Sequence, residues 1–314
     1  MKLAATTLLL SFTLPVFSQE PVLIKDFNTD ANSTFRFTSS GITPGISTDE
    51  HMYFLADDGL HREELWRTNG TELGTQLMKD IWPGEGKSRI NFTGVIGNTL
   101  FFRANAGEFV GKLWRSQGTT TSTQMVDADE GEIRIFNDSI RFAIFQDALY
   151  FSGEKDLGYE LYRIEATEST ATLVKVIDPR INVIWGGGFN SFSSLASLLT
   201  AVQDMIYFTA SDDENGRELW KTNGTEAGTQ MVKDISKGNS STTFQQLKAF
   251  ENTLIFTADD GIHGLELWLS KGTAEETYLL GDLTKGEAGS EIELLEMVGR
   301  FVYFTVLESG QRSL

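Results

Sequence analysis

Ile255-Phe256-Thr257-Ala258-Asp259-Asp260-Gly261, running into Glu266-Leu267-Trp268 and then Lys271-Gly272-Thr273, reads as an apolar strand, an acidic glycine loop, a second strand and a turn. An earlier stretch repeats it: Tyr53-Phe54-Leu55-Ala56-Asp57-Asp58-Gly59 runs into Glu64-Leu65-Trp66 and Asn69-Gly70-Thr71. Counted by the last aromatic of the first strand, copies fall at Phe54, Phe102, Phe151, Phe208, Phe256 and Phe304, at intervals of 48, 49, 57, 48 and 48 residues. A fixed period of this size marks a repeat architecture, in which each unit buries its apolar faces against its neighbours.

Each copy reads as four short strands, A to D, rich in β-branched and aromatic residues and separated by Gly, Asn and Asp. In the fifth copy they are expected near 244–250, 252–258, 265–270 and 277–282. Asn69-Gly70 and Asn223-Gly224 fall between C and D, where Asn-Gly predicts a tight hairpin. Neighbouring side chains on a strand point to opposite faces, so Leu65 and Trp66 require both faces of the sheet to be covered. Radially packed blades do this, which predicts an all-β, six-bladed β-propeller of about 48 residues per blade. Leu23-Ile24-Lys25-Asp26-Phe27 resembles the D strand Met78-Lys79-Asp80-Ile81, so the last blade is expected to be shared between the N- and C-termini.

Composition agrees with a folded, exported body. Against 26 Lys and Arg stand 44 Asp and Glu, and the net charge of −18 opposes nucleic acid and anionic membranes. Met1-Lys2 followed by the apolar run 3–17 and Ser18 reads as a signal peptide over 1–18, leaving a single propeller domain over 19–314. The run is too short to be an ordinary spanning helix, and no later stretch is long enough, so no transmembrane segment is expected. With no cysteine, disulfides and thiolate metal sites are excluded.

The motifs Glu64-Leu65-Trp66-Arg67-Thr68-Asn69-Gly70-Thr71 and Glu218-Leu219-Trp220-Lys221-Thr222-Asn223-Gly224-Thr225 resemble those of the ELWxxDGT-repeat family, hyalin-like secreted proteins of bacteria. The second copy keeps Leu113-Trp114 with Lys112 in place of Glu, and the third has Glu160-Leu161-Tyr162. Where the family has Asp before Gly-Thr, this chain has Asn, Gln or Lys. The resemblance implies a secreted, extracellular or periplasmic propeller; it implies no chemistry.

In a four-stranded meander the B–C and D–A loops share one face of the ring, and loops on a rigid scaffold are where binding residues concentrate. This face collects Asp57, Asp58, Asp212, Asp213, Asp259 and Asp260 from B–C loops, and Asp127, Asp129, Glu130 and Glu132 from a D–A loop. Calcium is the cofactor such oxygen-rich loops would take. The competing reading is that Asp-Asp-Gly only builds a turn. The long third interval holds Trp185, Phe189 and Phe192 in a glycine-rich loop. Those aromatics suit a carbohydrate or extracellular protein partner, or else fold inward as a plug. His61 and His263 hold the same repeat position on separate copies, which does not make a base–orienter pair. The expectation is therefore a secreted, non-catalytic binding scaffold and no enzyme. The alternative is a metal-dependent propeller hydrolase, of lactonase, esterase or glycosidase type, which requires acids on the channel-lining A strands.

Overall fold

The computed structural model describes residues 23–25, 42–84, 87–107, 111–128, 131–135, 142–155, 158–180, 193–285, 289–299, 301–308 and 311–313. The expected signal peptide and Trp185, Phe189 and Phe192 lie outside them. All regular structure among the described residues is strand, arranged in six successive sheets. The first sheet runs Thr43–Ser47, Met52–Asp57, Glu63–Thr68 and Gln76–Lys79 as a meander in chain order. The fifth runs Thr243–Phe250, Thr253–Asp259, Leu265–Ser270 and Thr277–Gly281, close to the boundaries read from the repeat. The sixth holds Glu291–Val298, Phe301–Glu308 and Gln311–Ser313.

The two faces of each sheet serve different neighbours. Leu219 is buried with Leu254, Phe256 and Trp268 of the following sheet. Trp220, next to it, is buried with Val174 and Ile177 of the preceding one. First strands of successive sheets touch each other, which places the A strands on the inner side. This is the β-propeller arrangement.

Polar clasps tie sheet to sheet. Strand D of the first sheet sends Lys79 to the Thr123 carbonyl of the second, at 3.2 Å, with its ammonium 5.7 Å from the Trp114 ring centroid. Lys175 reaches Thr229 O at 3.0 Å and Lys233 reaches Thr277 O at 2.5 Å in the same way. Each acceptor lies at the end of a C–D loop. An ammonium held over an indole and on a carbonyl is stabilised by both, so the far end of the C–D loop is a docking station for the preceding sheet.

Two expectations are corrected here. The C–D connection is no two-residue hairpin: strand C ends at Thr68 and strand D begins at Gln76. A type I′ turn needs positive φ at both central residues, and only Gly70 has it (φ 86°). Instead Asn69 Oδ1 accepts from Thr71 N and Thr71 Oγ1, while Thr71 Oγ1 accepts from Gly74 N, which builds a longer loop. Second, Asp127 and Glu132 do not sit in a loop of the acidic face. Asp127–Ala128 and Gly131–Glu132 form a hairpin, and Asp127–Ala128 pairs parallel with Thr170–Lys175 on the edge of the third sheet. The aspartate replaces the clasping lysine at this junction, and backbone pairing joins the two sheets instead. Asp129 and Glu130 lie outside the described residues.

Candidate functional site

The B–C loops of the first and fifth sheets have one geometry. Asp57 Oδ1 accepts from Gly59 N at 2.8 Å, and Asp259 Oδ1 accepts from Gly261 N at the same distance. The next aspartate accepts from two more amides: Asp58 Oδ1 from Leu60 and His61 N, Asp260 Oδ1 from Ile262 and His263 N. Its second oxygen meets an imidazole. Asp58 Oδ2 lies 2.8 Å from His61 Nδ1, and Asp260 Oδ2 lies 2.8 Å from His263 Nδ1. Asx turns thus use carboxylates that the acidic loops supplied for another expected purpose.

Each of these histidines has a carboxylate partner of its own. The orienting group comes from the same loop, three residues earlier, rather than from another copy. An Asp oxygen on Nδ1 selects the tautomer and fixes the ring, leaving Nε2 as the basic nitrogen. The side chains are 35% and 36% exposed, so the rings are open to solvent. The hydrogen bond to Asp58 raises the His61 pKa above the usual imidazole value, and Asp260 does the same for His263. Both aspartates are held below the usual carboxylate value; burial pushes each up, and the bonds from the histidine and the loop amides outweigh it.

The fourth sheet carries a variant of this loop. Asp212 Oδ1 accepts from Glu214 N and Asn215 N, and Oδ2 accepts from Asn215 Nδ2 at 2.9 Å. Asn215 therefore performs the turn-closing task of His61 without a titratable nitrogen. His51, the remaining histidine, lies 2.7 Å from Arg67, and burial, followed by that charge, lowers its pKa.

The expected metal residues Asp57, Asp58, Asp212, Asp213, Asp259 and Asp260 divide among three loops. Among the described residues no three His, Asp or Glu side chains converge as a cation site requires. Nor do the A strands form an acidic channel: Thr43–Ser47, Asn91–Ile96, Ala143–Phe145, Ser197–Val202 and Thr243–Phe250 contain neither Asp nor Glu, and only Glu291–Val298 does.

A second set of carboxylates, which begin the C strands and suggest no catalytic pair from the sequence, has a structural role that sequence reasoning did not find. Glu64, Glu160, Glu218 and Glu266, the first residue of each Glu-Leu motif, are almost wholly buried. Each reaches across to the segment that leaves strand D. Glu218 accepts from Ile235 N at 2.9 Å, Ser236 N at 3.2 Å and Thr242 Oγ1 at 2.8 Å. Glu160 accepts from Ile177 and Asp178 N, Glu266 from Leu283 N, Thr284 N and Ser290 Oγ, and Glu64 from Ile81 N, Trp82 N and Ser88 Oγ. Burial raises Glu64, Glu160 and Glu218 to about 7 despite these bonds, which pull the other way. The recurrence of the same donors, 17 and 18 residues downstream, was a signal available in the repeat spacing. These are D–A loop staples.

No protein-family model matches this chain, and no curated protein does. Solved structures similar to it include a puromycin-hydrolyzing peptidase of Mycobacterium tuberculosis (9% identity, TM-score 0.44, covering 85% of this chain and 42% of that one). They also include the β-propeller domain of the Trilobed protease from Pyrococcus furiosus (13%, 0.39, covering 87% and 83%) and a TolB from Agrobacterium tumefaciens (13%, 0.38, covering 78% and 82%). The chain therefore spans less than half of the peptidase. At these identities the likeness speaks for the fold alone. The expectation of a non-catalytic scaffold meets a peptidase and a protease's propeller domain among these structures and is not carried further. Among the described residues no helix is long and apolar enough to cross a membrane.

Proposed function

We propose that this chain is an exported six-bladed propeller of hydrolase type, in which Asp58–His61 and Asp260–His263 are the proton-moving pairs. The observation that carries the reading is the repeated 2.8 Å Asp–His bond, with the ring open to solvent. An imidazole oriented by a carboxylate can draw a proton from a water molecule through Nε2 as that water attacks an ester or lactone carbonyl. The resulting imidazolium, stabilised by the aspartate, then returns the proton to the leaving oxygen. The scarcity of acids on the A strands favours this acid–base form over a metal held in the channel. Ring closure through the N-terminal segment is supported by Lys25. It reaches the Thr75 carbonyl at 3.0 Å with its ammonium 5.4 Å from the Trp66 ring, the station that Lys79 occupies on Thr123 and Trp114.

The fourth sheet supplies the variant for the test. His61→Asn with His263→Asn copies the Asp212–Asn215 turn, so the loop keeps its closing bond and loses its base. Turnover of a panel of p-nitrophenyl esters and lactones by the purified chain is expected to fall at least to about one hundredth in the double variant, the usual scale of a general base. No turnover above buffer by the unmodified chain, or equal turnover by the variant, overturns the reading.

A further inference from the structure

In the second and fourth sheets the cation that follows the strand-C tryptophan grips the C–D loop of the next sheet. Arg115 donates to the Glu168 and Ala166 carbonyls at 2.6 Å each, and Lys221 donates to the Gly272 carbonyl at 2.8 Å. Arg67 holds the same place in the first sheet, and Gly118 holds the place of Gly272 in the loop it faces. Yet Arg67 Nη1 donates to His51 Nε2 of its own sheet, at 2.7 Å. The residue ahead of strand B makes the difference. Where the first sheet has His51 the fourth has Met205, which packs beside Leu254 and Phe256 and offers Lys221 no comparable acceptor.

We infer that His51 is a proton-operated latch: neutral, it holds Arg67 within the first sheet, and protonated, it releases that guanidinium to the Gly118 carbonyl of the second. Nε2 accepts a hydrogen bond only in the neutral ring with its proton on Nδ1. Protonation makes Nε2 a donor and sets two like charges side by side. The titratable and charged groups around His51 are Arg67, Tyr53 with its ring centroid at 6.3 Å, and Glu50, whose Oε2 lies 3.9 Å from Nδ1. Glu50 is 63% exposed and its Oε1 is engaged by Asn98 Nδ2, so it offsets little of the repulsion. Burial first, and then the Arg67 charge, lower the pKa of His51. The receiving loop is already in place. A Cβ added to Gly118 would stand 3.0 Å from Arg67 Nη1, 3.2 Å from Tyr53 Oη and 3.3 Å from His51 Cε1. Since the fold favours the neutral ring, the His51–Arg67 bond is present above the unfolded value of 6.5 and is lost as pH falls through the lower folded one. Acid thereby exchanges a bond inside the first sheet for one between the first and second. The latch sits at the C–D end of the sheets and is independent of the chemistry proposed for the Asp–His loops.

The test is NMR of the whole labelled chain against pH. Histidine Cε1 signals give the three imidazole midpoints, Arg67 Nε reports the guanidinium, and the Gly118 carbonyl is read through the Thr119 amide. The His51 signal, identified by its loss in His51→Met, should titrate below 6.5, while those of His61 and His263 titrate above it. Arg67 Nε and the Gly118 carbonyl should move with the His51 midpoint. His51→Met copies Met205, so at neutral pH both signals should already hold the positions that the parent reaches in acid, and neither should respond to pH in that range. Arg67→Met, a second and separate change, should raise the His51 midpoint. A His51 midpoint at or above 6.5, a Gly118 carbonyl that does not follow His51, or a midpoint unmoved by Arg67→Met overturns the inference.

Discussion

Replacing Glu218 by alanine tests whether the buried glutamates hold the D–A loops. The side chain is fully buried and accepts from Ile235 N, Ser236 N and Thr242 Oγ1. Truncation leaves two buried amides without an acceptor, while the threonine hydroxyl can rotate. A stranded buried donor costs about 1–3 kcal/mol, so the two amides together lose about 2–6 kcal/mol. A domain of this kind is stable by about 5–15 kcal/mol, which makes the loss a large part of the whole. Glu218→Gln keeps one carbonyl oxygen but turns an amino group toward the second amide, so it should lose about half as much. Glu226, exposed in the C–D loop of the same sheet, is the control, and its replacement by alanine should change stability by less than about 0.5 kcal/mol. The assay is urea unfolding followed by tryptophan fluorescence, with the midpoint compared at constant slope. If Glu218→Ala and Glu226→Ala have the same midpoint, the staple carries no load and the reasoning fails.

The same glutamates set a pH dependence. Their folded pKa of about 7 lies above the ordinary value of 4.5, so the native state binds more protons between those limits and stability falls as pH rises through them. The raised His61 and His263 act in the same direction above the usual imidazole value. The urea midpoint should therefore be higher near pH 5 than near pH 8, and Glu64→Gln with Glu218→Gln should flatten the difference; a midpoint that climbs over that range contradicts the assignment. If His61 and His263 are bases, ester turnover should fall off below a pKa higher than the free imidazole value of 6.5, measured as kcat/KM against pH. Lys79→Met keeps much of the stem packing but loses the bond to Thr123 O and the charge over Trp114, and should cost about 1–2 kcal/mol in urea unfolding. Gly224→Ala should cost more than Gly59→Ala. Both have positive φ, but a Cβ at Gly224 collides with the Tyr150 hydroxyl, whereas one at Gly59 meets open space. Equal melting temperatures for the two variants would contradict that contact.

The period and strand boundaries were legible because a buried two-faced strand leaves a strong local mark: Leu65 and Trp66 side by side admit few other arrangements. The Asp loops were legible as turns for the same reason, since Asp57 and Asp58 serve amides two and three residues away. What the sequence hid depends on contacts between separate repeats. Nothing local in Lys79 says that it crosses to Thr123, or that Asn69-Gly70 opens a longer loop whose far end receives Lys25. The Asp–His bond was missed by looking for its partner on another copy, when an i,i+3 spacing inside a turn suffices.

The second and third sheets show which parts of the repeat are exchangeable. Where the first, third, fourth and fifth sheets bury a glutamate, the second has Lys112, and its ammonium meets Glu132 at 2.5 Å from the segment that crosses to the third sheet. The polarity is reversed: a cation on strand C grips a carboxylate side chain on the crossover, whereas elsewhere a carboxylate on strand C grips crossover amides. That swap removes an acceptor for the backbone, and the crossover responds by forming its own pairs, Asp127–Ala128 with Thr170–Ala171 and Arg134 with Glu154. A sheet-to-sheet junction thus needs a grip from strand C and a clasp from strand D, but neither has to be made by the same residues. On that logic, restoring glutamate at position 112 alone should destabilise the chain, because it would place a buried carboxylate against Glu132, while Lys112→Glu combined with Glu132→Lys should recover most of the loss. Additive effects of the two changes would mean that the pair is incidental and that backbone pairing alone holds this junction.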